Sequence, residues 1–134
     1  MAPSRPRSKW VAGLVLAGLA LLTVHRAWVW VNDDALWEDA ASLAPGKVRP
    51  AINHGEALQQ QGALIAAALA YETARGHAME APANPLGVAI ADINLATLAA
   101  NRGDYPAARS YLRKAHIWDP TVHHPKLEHD LCEP

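Results

Sequence analysis

The sequence predicts an all-α protein: an N-terminal transmembrane helix followed by a short helix-turn-helix solenoid of about two and a half repeats. Three observations lead there. Residues 53–74 and 94–115 superpose without a gap at one constant shift, with Asn53 on Asn94, Gly55 on Ala96, Gly62 on Gly103, Leu64 on Tyr105, Ala67 on Ala108, Tyr71 on Leu112 and Ala74 on Ala115. Small residues meet small and bulky meet bulky, the mark of repeated units that bury their apolar stripes against one another. Alanine is plentiful, Phe is absent, and Val and Ile are sparse after residue 52, a composition that favours helix over strand. Finally, residues 10–24 carry no charge at all.

Residues 1–9 hold two prolines, Arg5, Arg7 and Lys9, and read as a disordered basic tail. The segment 10–31 is long enough for a membrane span, because 20 residues at about 1.5 Å each cover about 30 Å, the thickness of the hydrocarbon layer. Trp10 and Trp30 suit the two interfaces, and Arg26 can extend its head toward one of them. A cleaved signal peptide and a buried helix are the competing readings. His25-Arg26-Ala27 is a poor cleavage site, and no Cys follows the apolar core to make a lipoprotein signal. The cations ahead of the span place the N-terminus in the cytoplasm, so the rest lies on the periplasmic or extracytoplasmic side of a cytoplasmic (inner) membrane. Gly13 and Ala17 form a small-xxx-small pair suited to packing against another helix.

Residues 32–47 form a half-repeat. Asn32, Asp33 and Asp34 offer caps, and Leu36, Trp37, Ala40 and Leu43 share a face before Pro45-Gly46. Unit 1, residues 48–75, is expected as helices over 48–61 and 64–75 turning at Gly62. A connector, 76–88, carries Gly76, Pro82, Asn84, Pro85 and Gly87, and no helix is expected through it. Unit 2, residues 89–120, is expected as helices over 89–101 and 106–117 turning at Gly103, with Pro106 in a first turn where its missing N–H costs little. Residues 121–134 are a C-terminal tail or cap, with two turns of helix over 126–132.

In the second unit Leu95, Ala96, Gly103, Tyr105, Ala108, Leu112, Ala115 and the closing Asp119-Pro120 resemble the tetratricopeptide repeat (TPR). The first unit resembles it less fully, with His54 where Leu is usual, and the spacing exceeds the usual period of about 34 residues by seven. The resemblance implies a binding groove lined by the first helix of each unit: Arg49, Ile52, Asn53, Glu56, Gln59 and Gln60, with Ile93, Asn94, Thr97 and Asn101. Amides dominate there, and Arg49 alone could grip a carboxylate, opposed by Glu56. A second, looser likeness covers only residues 28–55, with Trp30-x-Asn32-Asp33-Asp34-x-Leu36-Trp37 and then Ala44-Pro45-Gly46-Lys47-Val48-Arg49-Pro50 onward. That run is similar to the junction between the last membrane helix and the repeats of O-mannosyltransferase-like proteins, and no transferase residue comes with it.

Charge is divided along the chain. Residues 1–31 hold Arg5, Arg7, Lys9 and Arg26 with no acid, while residues 32–134 are mildly acidic and have no basic stripe, which argues against nucleic acid. A single cysteine excludes an intramolecular disulfide. His123, His124, Glu128, His129, Asp130 and Cys132 crowd the C-terminus, but their spacing matches no standard metal site and a solvated tail is expected instead. His25, His54, His77 and His116 read as isolated. There is no nucleophile–base frame and no phosphate loop, so no catalytic residue, cofactor or metal is expected. The expectation is a membrane-anchored interaction module, a scaffold, adaptor or assembly factor. Its alternatives are a permanent accessory subunit, a homo-oligomer, or the regulatory appendage of a membrane glycosyltransferase-like enzyme.

Overall fold

The computed structural model describes residues 6–80 and 83–132. It contains helices α1 (Pro6–Val31), α2 (Asp33–Leu43), α3 (Val48–Gln60), α4 (Leu64–Met79), α5 (Pro85–Asn101), α6 (Tyr105–Trp118) and α7 (Pro125–Cys132), and no strand among the described residues. The chain divides after Leu36 into two compact units.

The first unit is essentially α1. Its 26 residues span about 39 Å, and Lys9–Val31 is long and apolar enough to cross a membrane. Its apolar side chains are almost all exposed, among them Trp10, Leu14, Leu21, Leu22, Val24 and Trp30. Helix begins at Pro6 rather than at Trp10, so residues 6–9 of the expected tail are helical. Pro6 sits where a first turn has no N–H bond to lose. Residues 1–5, with Arg5, lie outside the described residues.

In the second unit α3, α4, α5 and α6 pack each on the next, α3 also touches α5, and α7 packs on α6. The two hairpins α3–α4 and α5–α6 turn by the same hydrogen bonds at equivalent positions. Gly62 N–H donates to Gln59 O (3.0 Å) and Ala63 N–H to Leu58 O (2.9 Å); Gly103 N–H donates to Ala100 O (2.9 Å) and Asp104 N–H to Ala99 O (2.9 Å). Both glycines have φ +78°, a conformation that would strain any side chain. Equivalent alanines, Ala67 and Ala108, Ala74 and Ala115, are all fully buried.

Close approach explains the small residues. A Cβ on Gly55 would stand 2.5 Å from Tyr71 Cε1, so the Tyr71 ring occupies the space a side chain would need. Tyr71 packs with Ala67, Leu95 and Leu98, while Ala51, Ile52, Ala74 and Ala91 form the neighbouring cluster. Ala96 and Ala108 are covered by Leu127 and Leu131 of α7, and Arg109 Nε donates to Leu131 O at 3.1 Å. The C-terminal segment is therefore a docked helix and not a frayed tail.

The connector differs from expectation. Helix α4 runs through Gly76 to Met79, and α5 starts at Pro85. A mid-helix Gly costs about 0.5–1 kcal/mol, but continuing the helix buries Ala78 completely. Pro85 begins a helix instead of ending one: Asn84 caps it by accepting the Gly87 N–H at 3.0 Å, and Asn84 N–H donates to Ala78 O at 2.8 Å to close the turn. The seven extra residues are thus largely absorbed by two lengthened helices; Pro82 lies outside the described residues. Helix α2 differs too. None of its described residues is fully buried and Leu43 is 68% exposed.

Candidate functional site

Helices α3 and α5, the first of each hairpin, enclose a shallow groove in two parts that meet at Glu56. One part, of about 420 Å³, is lined by Val48, Arg49, Ile52, Asn53 and Glu56 facing Asn84, Leu86, Gly87 and Ile90. The other, of about 270 Å³, is lined by Glu56, Gln59, Gln60, Tyr71, Asn94, Thr97 and His124. The structure brings together eight of the residues expected from the sequence: Arg49, Ile52, Asn53, Glu56, Gln59, Gln60, Asn94 and Thr97. Asn101 is exposed at the end of α5 and lines neither part, and Ile93 is a core residue packed with Ala89 and Ala115. Ile52 belongs mainly to the core, being 7% exposed.

The groove is neutral and hydrogen-bonding in character. Tyr71 O–H donates to Gln59 Oε1 at 3.0 Å, which holds that amide in place. Burial, with Glu56 nearby, pushes the Tyr71 phenol far above its ordinary value, so it remains a donor. Thr97 turns its hydroxyl back to Ile93 O at 3.0 Å and presents its methyl. The Asn94 Nδ2 is buried without a hydrogen-bond partner, and an unsatisfied buried amide donor carries a desolvation cost of about 1–3 kcal/mol.

Behind the groove lies a charged contact that the sequence did not announce. Asp92 of α5 is completely buried, and its Oδ1 stands 2.8 Å from Arg75 Nε of α4 in a close ion pair, while neither carboxylate oxygen makes a hydrogen bond of good geometry. Burial raises the Asp92 carboxyl above the usual range, more than Arg75 and Lys114 lower it. Arg75 also approaches Glu72 (3.7 Å), whose carboxylate accepts the Tyr111 O–H at 3.2 Å, and Lys114 Nζ lies 4.9 Å from the Tyr111 ring centroid. Burial and Glu72 together push the Tyr111 phenol up. These residues link α4, α5 and α6.

At the far end, His116 of α6 is not isolated as expected. Its Nε2 lies 3.4 Å from Glu128 Oε1, and His123 Nδ1 lies 3.5 Å from the same oxygen. The adjacent histidines point to different tasks. His124 caps α7, its Nδ1 accepting the Leu127 N–H (3.1 Å), while Glu128 accepts the His124 N–H (3.0 Å). That N–H, helped by His123 and His116, holds the Glu128 carboxyl below its usual range. His129 is exposed and 3.8 Å from Asp130 Oδ1; the side chain of Cys132, expected beside it, lies outside the described residues. A signal for His116 stood just past the paired segments: extending their superposition by a single step puts Arg75 on His116.

Comparison with protein-family models, with curated proteins and with solved structures gives no match.

Proposed function

We propose that this chain is a membrane-anchored protein–protein interaction module, an adaptor or assembly factor with no catalysis of its own, and that its two hairpins are a short TPR-like stack. Helix α1 is the anchor, its N-terminus cytoplasmic and the hairpins on the periplasmic or extracytoplasmic side. The observation that carries the reading is the amide-lined groove between α3 and α5, lined by Asn53, Gln59, Gln60 and Asn94. Amides suit the backbone of an extended polypeptide, whose carbonyls accept and whose N–H groups donate at short intervals. One cation, Arg49, opposed by Glu56 in the same part of the groove, makes a groove that grips a terminal carboxylate a poor fit.

The test is site-specific photocrosslinking in membranes from cells expressing the full chain. A photoreactive residue at Gln60 or Thr97 should give one discrete adduct that disappears in the Asn94→Leu background, while the same group at exposed Arg113 gives none. Equal labelling at Arg113, or no adduct from the groove, would refute the reading. Protease added outside spheroplasts should remove the hairpins, and their protection would reverse the assigned topology.

A further inference from the structure

Three donor atoms converge at the C-terminal end of the second hairpin, apart from the lining of the groove. His116 Nε2, His123 Nδ1 and Glu128 Oε1 lie within 4.8 Å of one another. The two histidine-to-carboxylate separations, 3.4 and 3.5 Å, are longer than a charge-assisted hydrogen bond of about 2.7–2.9 Å. They match what one ion requires: ligands placed tetrahedrally at about 2.0–2.1 Å from zinc stand roughly 3.3–3.4 Å from each other. The His116 Nε2 is buried and makes no hydrogen bond with the protein. The two imidazole rings are tilted by 54° with centroids 5.9 Å apart, which rules out a face-to-face stack as the reason for their meeting.

The cluster is built by the fold. His116 is fixed on α6, Glu128 on the first turns of α7, and His123 on the loop between them. The reciprocal cap between His124 and Glu128 holds the carboxylate oxygen toward both imidazoles. It also takes the neighbouring histidine out of competition. We infer that His116, His123 and Glu128 bind one divalent transition-metal ion of the zinc class, with the fourth position open to solvent on the side of His123, which is 63% exposed. Two imidazoles and one carboxylate are borderline donors that suit Zn²⁺. The ion joins α6, the loop and α7, and so fastens the helix that covers Ala96 and Ala108. None of its three ligands lines the groove.

The full-length chain, prepared in detergent without a histidine tag and stripped with a chelator, is titrated with Zn²⁺ by calorimetry and with Co²⁺ by visible absorption. One ion per chain and the intense absorption of tetrahedral cobalt are expected. His116→Ala, His123→Ala and Glu128→Gln should each weaken binding at least about 100-fold, since losing even an indirect partner of a metal ligand costs 10–100-fold. Glu128→Gln keeps an oxygen for the His124 N–H, and His123 lies on an exposed loop, so neither variant threatens the fold; helical circular dichroism checks this. His77→Ala should leave binding unchanged. Absence of saturable one-to-one binding would overturn the site, as would binding indifferent to the three variants. Binding abolished by His129→Ala would overturn it too, by moving the ion to the last turn of α7.

Discussion

Arg75 and His116 hold the same place in the two hairpins, near the end of the second helix, and each faces a carboxylate on the helix that follows. Arg75 Nε reaches Asp92 at 2.8 Å; His116 Nε2 stands 3.4 Å from Glu128. The surroundings differ. Asp92 is completely buried between hairpins, whereas the side chains of His116 and Glu128 are 36% and 30% exposed. Between hairpins the partner of a dry carboxylate must carry a charge that never leaves, and guanidinium does. At the terminal junction the pair is partly exposed, so an imidazole suffices. One repeat position thus serves as a permanent brace inside the stack and as an adjustable contact at its end.

The sharpest way to break this contrast is to remove each base. Arg75→Ala strands Asp92 as a buried, uncompensated acid and should cost about 3–5 kcal/mol. His116→Ala, in metal-free protein, loses a partly exposed pair and should cost about 1 kcal/mol or less. Chemical denaturation of the full chain in detergent, followed by helical signal, compares them. Equal costs would mean that the two junctions do not differ as their burial implies.

A second difference between the hairpins is steric. At equivalent positions Gly55 meets the Tyr71 ring and Ala96 meets α7. Gly55→Ala forces the ring aside and should cost about 1–3 kcal/mol, while Ala96→Gly should cost about 1 kcal/mol through lost helix propensity. The same denaturation curves report both.

Titration separates the two junctions further. The folded Asp92 carboxyl is raised above its unfolded value of about 3.9, so its contribution to stability is fully present below that pH and is lost as pH rises through the folded value. Arg75, Lys114, Glu72 and Tyr111 surround it. Relative to Asp92→Asn, the natural protein should therefore lose stability as pH climbs from about 4, with a slope no steeper than about 1.4 kcal/mol per pH unit for one proton. A flat difference between the two proteins would show that Asp92 folds already ionised.

Much of this is legible in the residues, and what is not has one physical origin. The hairpin turns and the paired alanines follow from a fixed-period match, because turn glycines and close-packed alanines have few substitutes, while the eight groove residues follow from what the TPR resemblance implies. The connector is harder, because Pro85 among Gly76, Pro82 and Gly87 reads as a helix breaker although it starts a helix as Pro106 does; Asn84 before it is the available cap. Asp92 is invisible because a charge in an Ala-rich helix reads as a solvated face unless Arg75, on the preceding helix, is placed opposite it. His116 likewise reads as isolated among its neighbours in sequence, while its partners lie on the next helix and the loop before it. Contacts between elements, not within them, are what a single chain of letters withholds.

The smallest expected effect tests whether the two hairpins begin their second helices alike. Ala63 and Asp104 occupy equivalent N-cap positions with nearly the same backbone, φ −78°, ψ 60° and φ −87°, ψ 69°. Only Asp104 caps: its side chain accepts the Ala107 N–H at 3.1 Å, whereas Ala63 offers nothing to the corresponding N–H of Ala66. Because the backbone is already in place, Ala63→Asp needs no rearrangement to supply the missing acceptor, and its negative charge falls at the positive end of α4. The substitution should stabilise the chain by about 0.5–1 kcal/mol, and Asp104→Ala should destabilise it by about as much. If Asp104→Ala costs the expected amount and Ala63→Asp gains nothing, the two turns share a backbone but not the electrostatic setting of their helix starts, and the likeness between hairpins stops at the glycine.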